Sequence, residues 1–212
     1  MHIVITGANR GIGKTMSDQY RMAGHTVTGT ARDGSAQVTL DVTDPAQHAA
    51  MAEQLQGQPV DLLVCNAGVY LDKGHDIGGY PAGIWAQSFA TNVTGVFLTI
   101  QSLLPNLRAA RGKIVIISSQ MASDNHAPGG SYIYRASKAA ALNLGRNLAT
   151  DLRQDGIAVG IYHPGWVQTD MGGSVADITA EEAATGLLER FEALSLDTTG
   201  CFETWDGQPH AY

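Results

Sequence analysis

The stretch His2-Ile3-Val4-Ile5-Thr6-Gly7-Ala8-Asn9-Arg10-Gly11-Ile12-Gly13 decides the fold. His2–Thr6 is a short β-branched run of the kind that forms a strand. It feeds a glycine-rich turn, and a helical pattern follows over Ile12–Ala23. Glycines at such a turn let the backbone tighten. They also let a pyrophosphate approach the free N–H groups and the positive dipole end of a helix. The spacing is G-x-x-x-G-x-G rather than the common G-x-G-x-x-G, so the strand before and the helix after carry the reading.

The same alternation continues outward. Strand patterns occupy Thr26–Thr30, Gln37–Leu40 and Val60–Cys65, with a helix near Pro45–Gln56 that Asp44 caps and Pro45 opens. Val93, Val96, Phe97, Ile100, Leu103, Leu104 and Leu107 recur at helical spacing, which predicts one amphipathic helix over Ala90–Ala110. Lys113–Ser118 is continuously apolar, as in a parallel strand buried on both faces. Tyr132–Gln154 reads as a long helix, Ile157–His163 as a strand, Ala180–Leu194 as a helix and Gly200–Glu203 as a last strand. The expectation is an α/β fold: a single-domain Rossmann fold over residues 1–212, with a doubly wound parallel sheet of about seven strands. Ligands then bind beyond the carboxyl ends of the strands.

Composition narrows the function. The 212 residues are 44% hydrophobic and include 25 glycines, without the strict period of collagen. A net charge of −7 opposes nucleic-acid binding, so no nucleic-acid partner is expected. No apolar run reaches the ~20 residues of a membrane span, and Met1–Ile5 lacks a basic, signal-type start. Cys65 and Cys201 read as buried free thiols of a reducing, cytoplasmic setting. The seven histidines form no metal-ligand spacing, so no metal is expected.

A dinucleotide needs its ribose read at the end of the second strand. An acid there would accept the 2′-hydroxyl of NAD. This strand ends Thr30-Ala31-Arg32-Asp33, and Arg10 stands in the glycine turn. Two guanidiniums match a 2′-phosphate, which favours NADP(H). NAD(H) stays open, because Asp33 can turn inward and leave Arg32 a solvated turn residue.

Four further segments stand at strand ends or on the helices that follow. They are Asn66-Ala67-Gly68, Ser118-Ser119, Tyr134-Arg135-Ala136-Ser137-Lys138, and His163-Pro164-Gly165-Trp166-Val167-Gln168-Thr169. With Thr6–Gly13, these five ordered motifs resemble the short-chain dehydrogenase/reductase family across essentially the whole chain. The last two look most like its C-factor-like, sniffer-type carbonyl reductase branch.

The resemblance implies an oxidoreductase that transfers a hydride between a nicotinamide and a small carbonyl or alcohol, with Asn92, Ser119, Tyr134 and Lys138 as the catalytic set. Tyr134 and Lys138 are four apart and share one helix face. A nearby ammonium lowers the phenol's pKa from about 10, toward efficient general acid–base work. By the same resemblance Lys138 also holds the nicotinamide ribose, and Ser119, rather than Ser118, holds the substrate oxygen. Asn92 positions a relay water, unless it is the N-cap of the middle helix. Cofactor contacts follow at Gly7, Asn9, Arg10, Gly11, Ile12, Gly13, Arg32, Asp41-Val42, Asn66, Ala67, Gly68, Tyr134, Lys138, Pro164, Gly165, Val167 and Thr169. Asp41 is equally readable as a turn residue. Tyr70, Met121, Trp166 and Met171 are candidate pocket walls or core. A homodimer or homotetramer is implied, with Ala139, Ala140 and Gly145 allowing close helix approach, although they also suit packing on the chain's own sheet. The competing reading is an NADP(H)-binding sensor with little turnover.

Overall fold

The computed structural model describes all 212 residues. Seven strands, β1 (His2–Thr6), β2 (Thr26–Ala31), β3 (Val38–Thr39), β4 (Leu62–Cys65), β5 (Lys113–Ile117), β6 (Ala158–His163) and β7 (Phe202–Thr204), form one parallel sheet. Its order is β3-β2-β1-β4-β5-β6-β7. The chain reverses its direction of growth between β1 and β4, so the loops leaving these two strands diverge and open a crevice at their carboxyl ends. β2 and β3 are linked by Arg32–Gln37 alone, without a crossover helix.

Alternation along each strand splits the core into two layers. Val4, Leu63, Ile114, Ile116, Val159 and Ile161 face one side. There they pack on α2 (Pro45–Gln54), α4 (Gly95–Ala110) and α5 (Tyr132–Asp151). Ile3, Ile5, Val64, Val115 and Tyr162 face the other, against α1 (Gly11–Met22) and α6 (Ala180–Ala193). Successive strand side chains point to opposite faces, so a strand covered on both reads as an unbroken apolar run. The Asp44 carboxylate accepts from the Ala46 N–H and caps α2, with Pro45 in its first turn, as the sequence predicts. Gly145 fits its own sheet: a Cβ there would come within 2.6 Å of Ile161 and 3.0 Å of Ile116. No helix is long and apolar enough to cross a membrane.

The middle helix differs from the expectation. It begins earlier, as α3 (Ala82–Phe89), and passes through a π-helical turn at Ala90–Thr94 into α4. Asn92 therefore lies inside a continuous helical segment and is not an N-cap. α3 buries only Ser88, so it carries no apolar stripe for a periodicity argument to find.

Candidate active site

The glycine turn is built by close approach. Gly7 and Gly11 have φ of 65° and 51°, in the left-handed region that glycine enters without penalty. A Cβ on Gly13 would stand 2.3 Å from the Gly7 carbonyl oxygen and 2.4 Å from Asn66 Nδ2. Asn66 closes the turn from the β4 side, donating to the carbonyls of Thr6 (2.9 Å) and Gly7 (3.1 Å). The Thr6 hydroxyl accepts from the N–H groups of Asn66 and Ala67, each at 3.0 Å. α1 starts after Arg10 with no side-chain cap and no acid in its first turn. Its leading N–H groups and dipole thus face the crevice, and the residues present fit a dinucleotide pyrophosphate.

The candidate ribose-reading residues lie in the glycine turn and after β2, paired with neighbours of their own. Arg10 pairs with Asp170 at 3.1 Å, with both side chains largely exposed. Arg32 is exposed at the end of β2. Asp33 accepts from Ser35 and from Asn9 Nδ2 (3.0 Å), and these bonds hold its carboxyl below the usual range. The Asp41 carboxylate accepts from the N–H (2.9 Å) and hydroxyl (2.7 Å) of Thr43, which makes it a turn residue here and lowers its pKa.

Beyond β4 and β5 the candidate catalytic side chains converge. A Cβ on Gly68 would lie 3.3 Å from Asn92 Oδ1 and 3.4 Å from Lys138 Nζ. Lys138 is buried, with Nζ donating to the Ile117 carbonyl (2.8 Å) and standing 5.7 Å from the Tyr134 ring centroid. Burial lowers its ammonium to about 8. Ser119 is buried, and its hydroxyl accepts from the Met121 N–H (3.1 Å). The Ser118 hydroxyl instead donates to the Lys138 carbonyl (3.1 Å), away from the crevice. That difference separates the two serines.

Tyr134 corrects one expectation. Its phenol is pushed up, not down. Burial is the main cause; Ser119 opposes it, while Tyr70 and Asp72 add to it. The ammonium lies over the ring and is bonded to Ile117, so sealing the phenol from water outweighs it.

Asn92 is fully engaged. Oδ1 accepts from the Val69 N–H (2.8 Å), and Nδ2 donates to the Val69 carbonyl (2.9 Å) and to Ser137 Oγ (3.0 Å). Its side chain is a clamp on the loop after β4.

After β6, a Cβ on Gly165 would meet Ile178 (2.6 Å) and Trp205 (3.0 Å), so the protein's own packing requires this glycine. Thr169 sends its methyl toward Gly11, and its hydroxyl binds the Val167 carbonyl and the Gly172 N–H within its own turn. Lys73 reaches the Met171 carbonyl at 3.4 Å. Cys65 is buried and its thiol is pushed up to about 12, which leaves it unreactive. His163 is buried, and His126 is exposed.

Two residues that sequence reasoning passes over stand against the site: Asp72, fully buried, and Asp170. Asp72 accepts from the N–H groups of Ile133 (2.8 Å) and Tyr134 (3.2 Å). Ser131, preceding α5, is left-handed (φ 48°) and offers no side-chain cap, which is the one local sign that an acceptor must come from elsewhere.

A family model described as short chain dehydrogenase matches residues 1–179. The C-signal protein of Myxococcus xanthus is 36% identical over 160 residues, covering 74% of this chain and 96% of that protein. The 1-hydroxy-2-glutathionyl-2-methyl-3-butene dehydrogenase of Rhodococcus sp. (strain AD45) is 33% identical, covering 97% and 96%. Among solved structures, the NADPH-bound carbonyl reductase from chicken fatty liver superposes with a TM-score of 0.90 at 31% identity, covering 100% of this chain and 98% of that one.

Proposed function

The chain belongs to the short-chain dehydrogenase/reductase family of NAD(P)-dependent oxidoreductases, and from that premise we propose that it is an NADP(H)-dependent carbonyl reductase acting on a small aldehyde, ketone or quinone. The observation that carries this reading is the convergence of Ser119 and Lys138 on Tyr134, with Lys138 Nζ beside Gly68, at the open ends of β4 and β5. When bound, NADPH supplies the hydride. Ser119 orients the carbonyl oxygen, and Tyr134 gives its proton to the alkoxide as it forms. The phenol carries its proton at neutral pH, as the reducing direction requires. Lys138 contributes a buried positive charge beside the phenol and the nicotinamide ribose. The glycine turn takes the pyrophosphate, and Arg10 and Arg32 take the 2′-phosphate. The likeness to a NADPH-bound reductase supports the choice of cofactor.

A second reading, a dinucleotide-binding signalling protein with little turnover, draws on the likeness to C-signal. One experiment separates the two. The purified protein is assayed with NADPH against aldehydes, ketones and quinones, including para-nitrobenzaldehyde, beside Tyr134→Phe. The reductase reading expects the variant to lose at least about 100-fold in kcat while still binding NADPH. Full turnover by Tyr134→Phe, or none by the parent on any carbonyl, overturns it.

A further inference from the structure

Tyr134 is gripped by its backbone as well as its ring. Its carbonyl accepts from Ser137 Oγ (2.8 Å), which in turn accepts from Asn92. Its N–H donates to both oxygens of Asp72, at 3.2 and 3.4 Å. Asp72 also takes the Ile133 N–H. These are N–H groups of the first turn of α5, which a helix cannot satisfy internally. Ordinarily the residue just before the helix caps them, but Ser131 is left-handed and its hydroxyl pairs with that of Tyr70. The acceptor comes instead from a loop some sixty residues earlier. That loop is fixed in turn: Asn92, in the π-helical turn, holds both backbone groups of Val69.

A carboxylate with no exposure is costly to bury, and a neutral asparagine would fill a capping role here. The groups facing Tyr134 are Lys138 from its own helix, Tyr70 and Asp72 from the loop after β4, and the Ser119 hydroxyl from the segment after β5.

We propose that Asp72 is a positioning residue for the reaction, anchoring the backbone of Tyr134 and so holding its ring at the site. The inference rests on the reading of Tyr134 as proton donor. An acceptor oxygen at this place keeps the anchor, and its loss releases the first turn of α5.

The test compares the parent with Asp72→Asn, which keeps an acceptor oxygen, and Asp72→Ala, which keeps none. NADPH and para-nitrobenzaldehyde are the substrates. Asn106→Ala serves as a stability control: that amide donates to the carbonyls of Leu55 and Gln58 at the opposite end of the sheet. Asp72→Asn is expected to keep kcat within about threefold of the parent, and Asp72→Ala to lose about 10-fold or more in kcat with KM for NADPH within about twofold. Asn106→Ala is expected to lose stability and keep its kcat. Parental kcat in Asp72→Ala, or a KM for NADPH that rises with the loss of kcat, overturns the proposal. An Asp72→Asn no better than Asp72→Ala also overturns it, because the acceptor oxygen then rescues nothing. So does failure of both Asp72 variants to fold, which would leave the residue a purely structural cap. If Tyr134→Phe retains turnover, the reading of Tyr134 itself has failed. If Tyr134→Phe is dead and Asp72→Ala is unmoved, only the role of Asp72 has failed.

Discussion

Tyr70 lies flat on Tyr134, with ring centroids 4.2 Å apart and planes 17° from parallel. Tyr70 is itself held by a hydroxyl contact to Ser131 and by the clamped backbone of Val69 just before it. One face of the Tyr134 ring is thereby closed, and the ring has one orientation in which to present its hydroxyl.

Tyr70→Phe keeps the stack and loses only the contact to Ser131, so its kcat is expected within about threefold of the parent. Tyr70→Ala frees the Tyr134 ring and opens a void. We expect kcat to fall by about 10-fold and stability by about 1–3 kcal/mol. Steady-state kinetics and urea unfolding check both, and parental kcat in Tyr70→Ala would remove the orienting role of the stack.

The cofactor preference turns on charges at the crevice mouth. Arg32→Ala is expected to weaken NADPH about 10–100-fold while leaving NADH nearly unchanged, because only the 2′-phosphate distinguishes the two. Asp170 pairs with Arg10 and competes for it. Asp170→Ala should therefore tighten NADPH by a few-fold at low salt, and the gain should vanish near 0.5 M salt, since an exposed pair is weak and screened. Fluorescence titration of the reduced nicotinamides measures each effect. A parent that prefers NADH sinks the assignment of both arginines.

Gly13 and Gly83 make opposite predictions from the same substitution. At Gly13 an added Cβ collides with the Gly7 carbonyl and the Asn66 amide that closes the turn. Gly13→Ala is expected to cost about 2 kcal/mol and to abolish dinucleotide binding. At Gly83, in the first turn of α3, a Cβ meets nothing within 4 Å. Gly83→Ala should stabilise by about 0.5–1 kcal/mol with binding intact. Denaturant midpoints and NADPH titration read both, and a Gly13→Ala protein that binds normally would refute the close-approach argument.

What the sequence made legible were features that announce themselves locally. Thr6–Gly13 and Lys113–Ser118 carry their strand, turn and burial in their own residue types, and five such motifs in order place the site at the strand ends. Features that depend on what lies across the fold stayed hidden. α3 buries one serine and so has no stripe. The role of Asp72 comes from a helix start sixty residues later whose own first residue turns the wrong way. The Tyr134–Lys138 spacing shows a cation near a phenol but not that both are sealed from water, and the sealing decides the direction of the phenol's shift. Asn92 was found by resemblance, yet its three hydrogen bonds become visible only with the π-helical turn in place.

His163, at the end of β6, gives the fold a defined acid limit. It is buried, with Nδ1 unpartnered, and the ring of His210 stands edge-on at 6.0 Å. Burial first, and His210 second, push its imidazole from 6.5 down to about 4, with Asp206 opposing. The unfolded chain thus takes up a proton near pH 6.5 that the folded protein refuses until about pH 4. The sign follows: between these values the unfolded state binds more protons, so stability present above pH 6.5 is lost as pH falls toward 4. A 2.5-unit depression (6.5 − 4) corresponds to at most about 3 kcal/mol. Urea unfolding at pH 7 and pH 4.5 should show most of that loss in the parent and a clearly smaller one in His163→Phe, which cannot be protonated. Equal losses in the two proteins would assign the acid sensitivity to other groups.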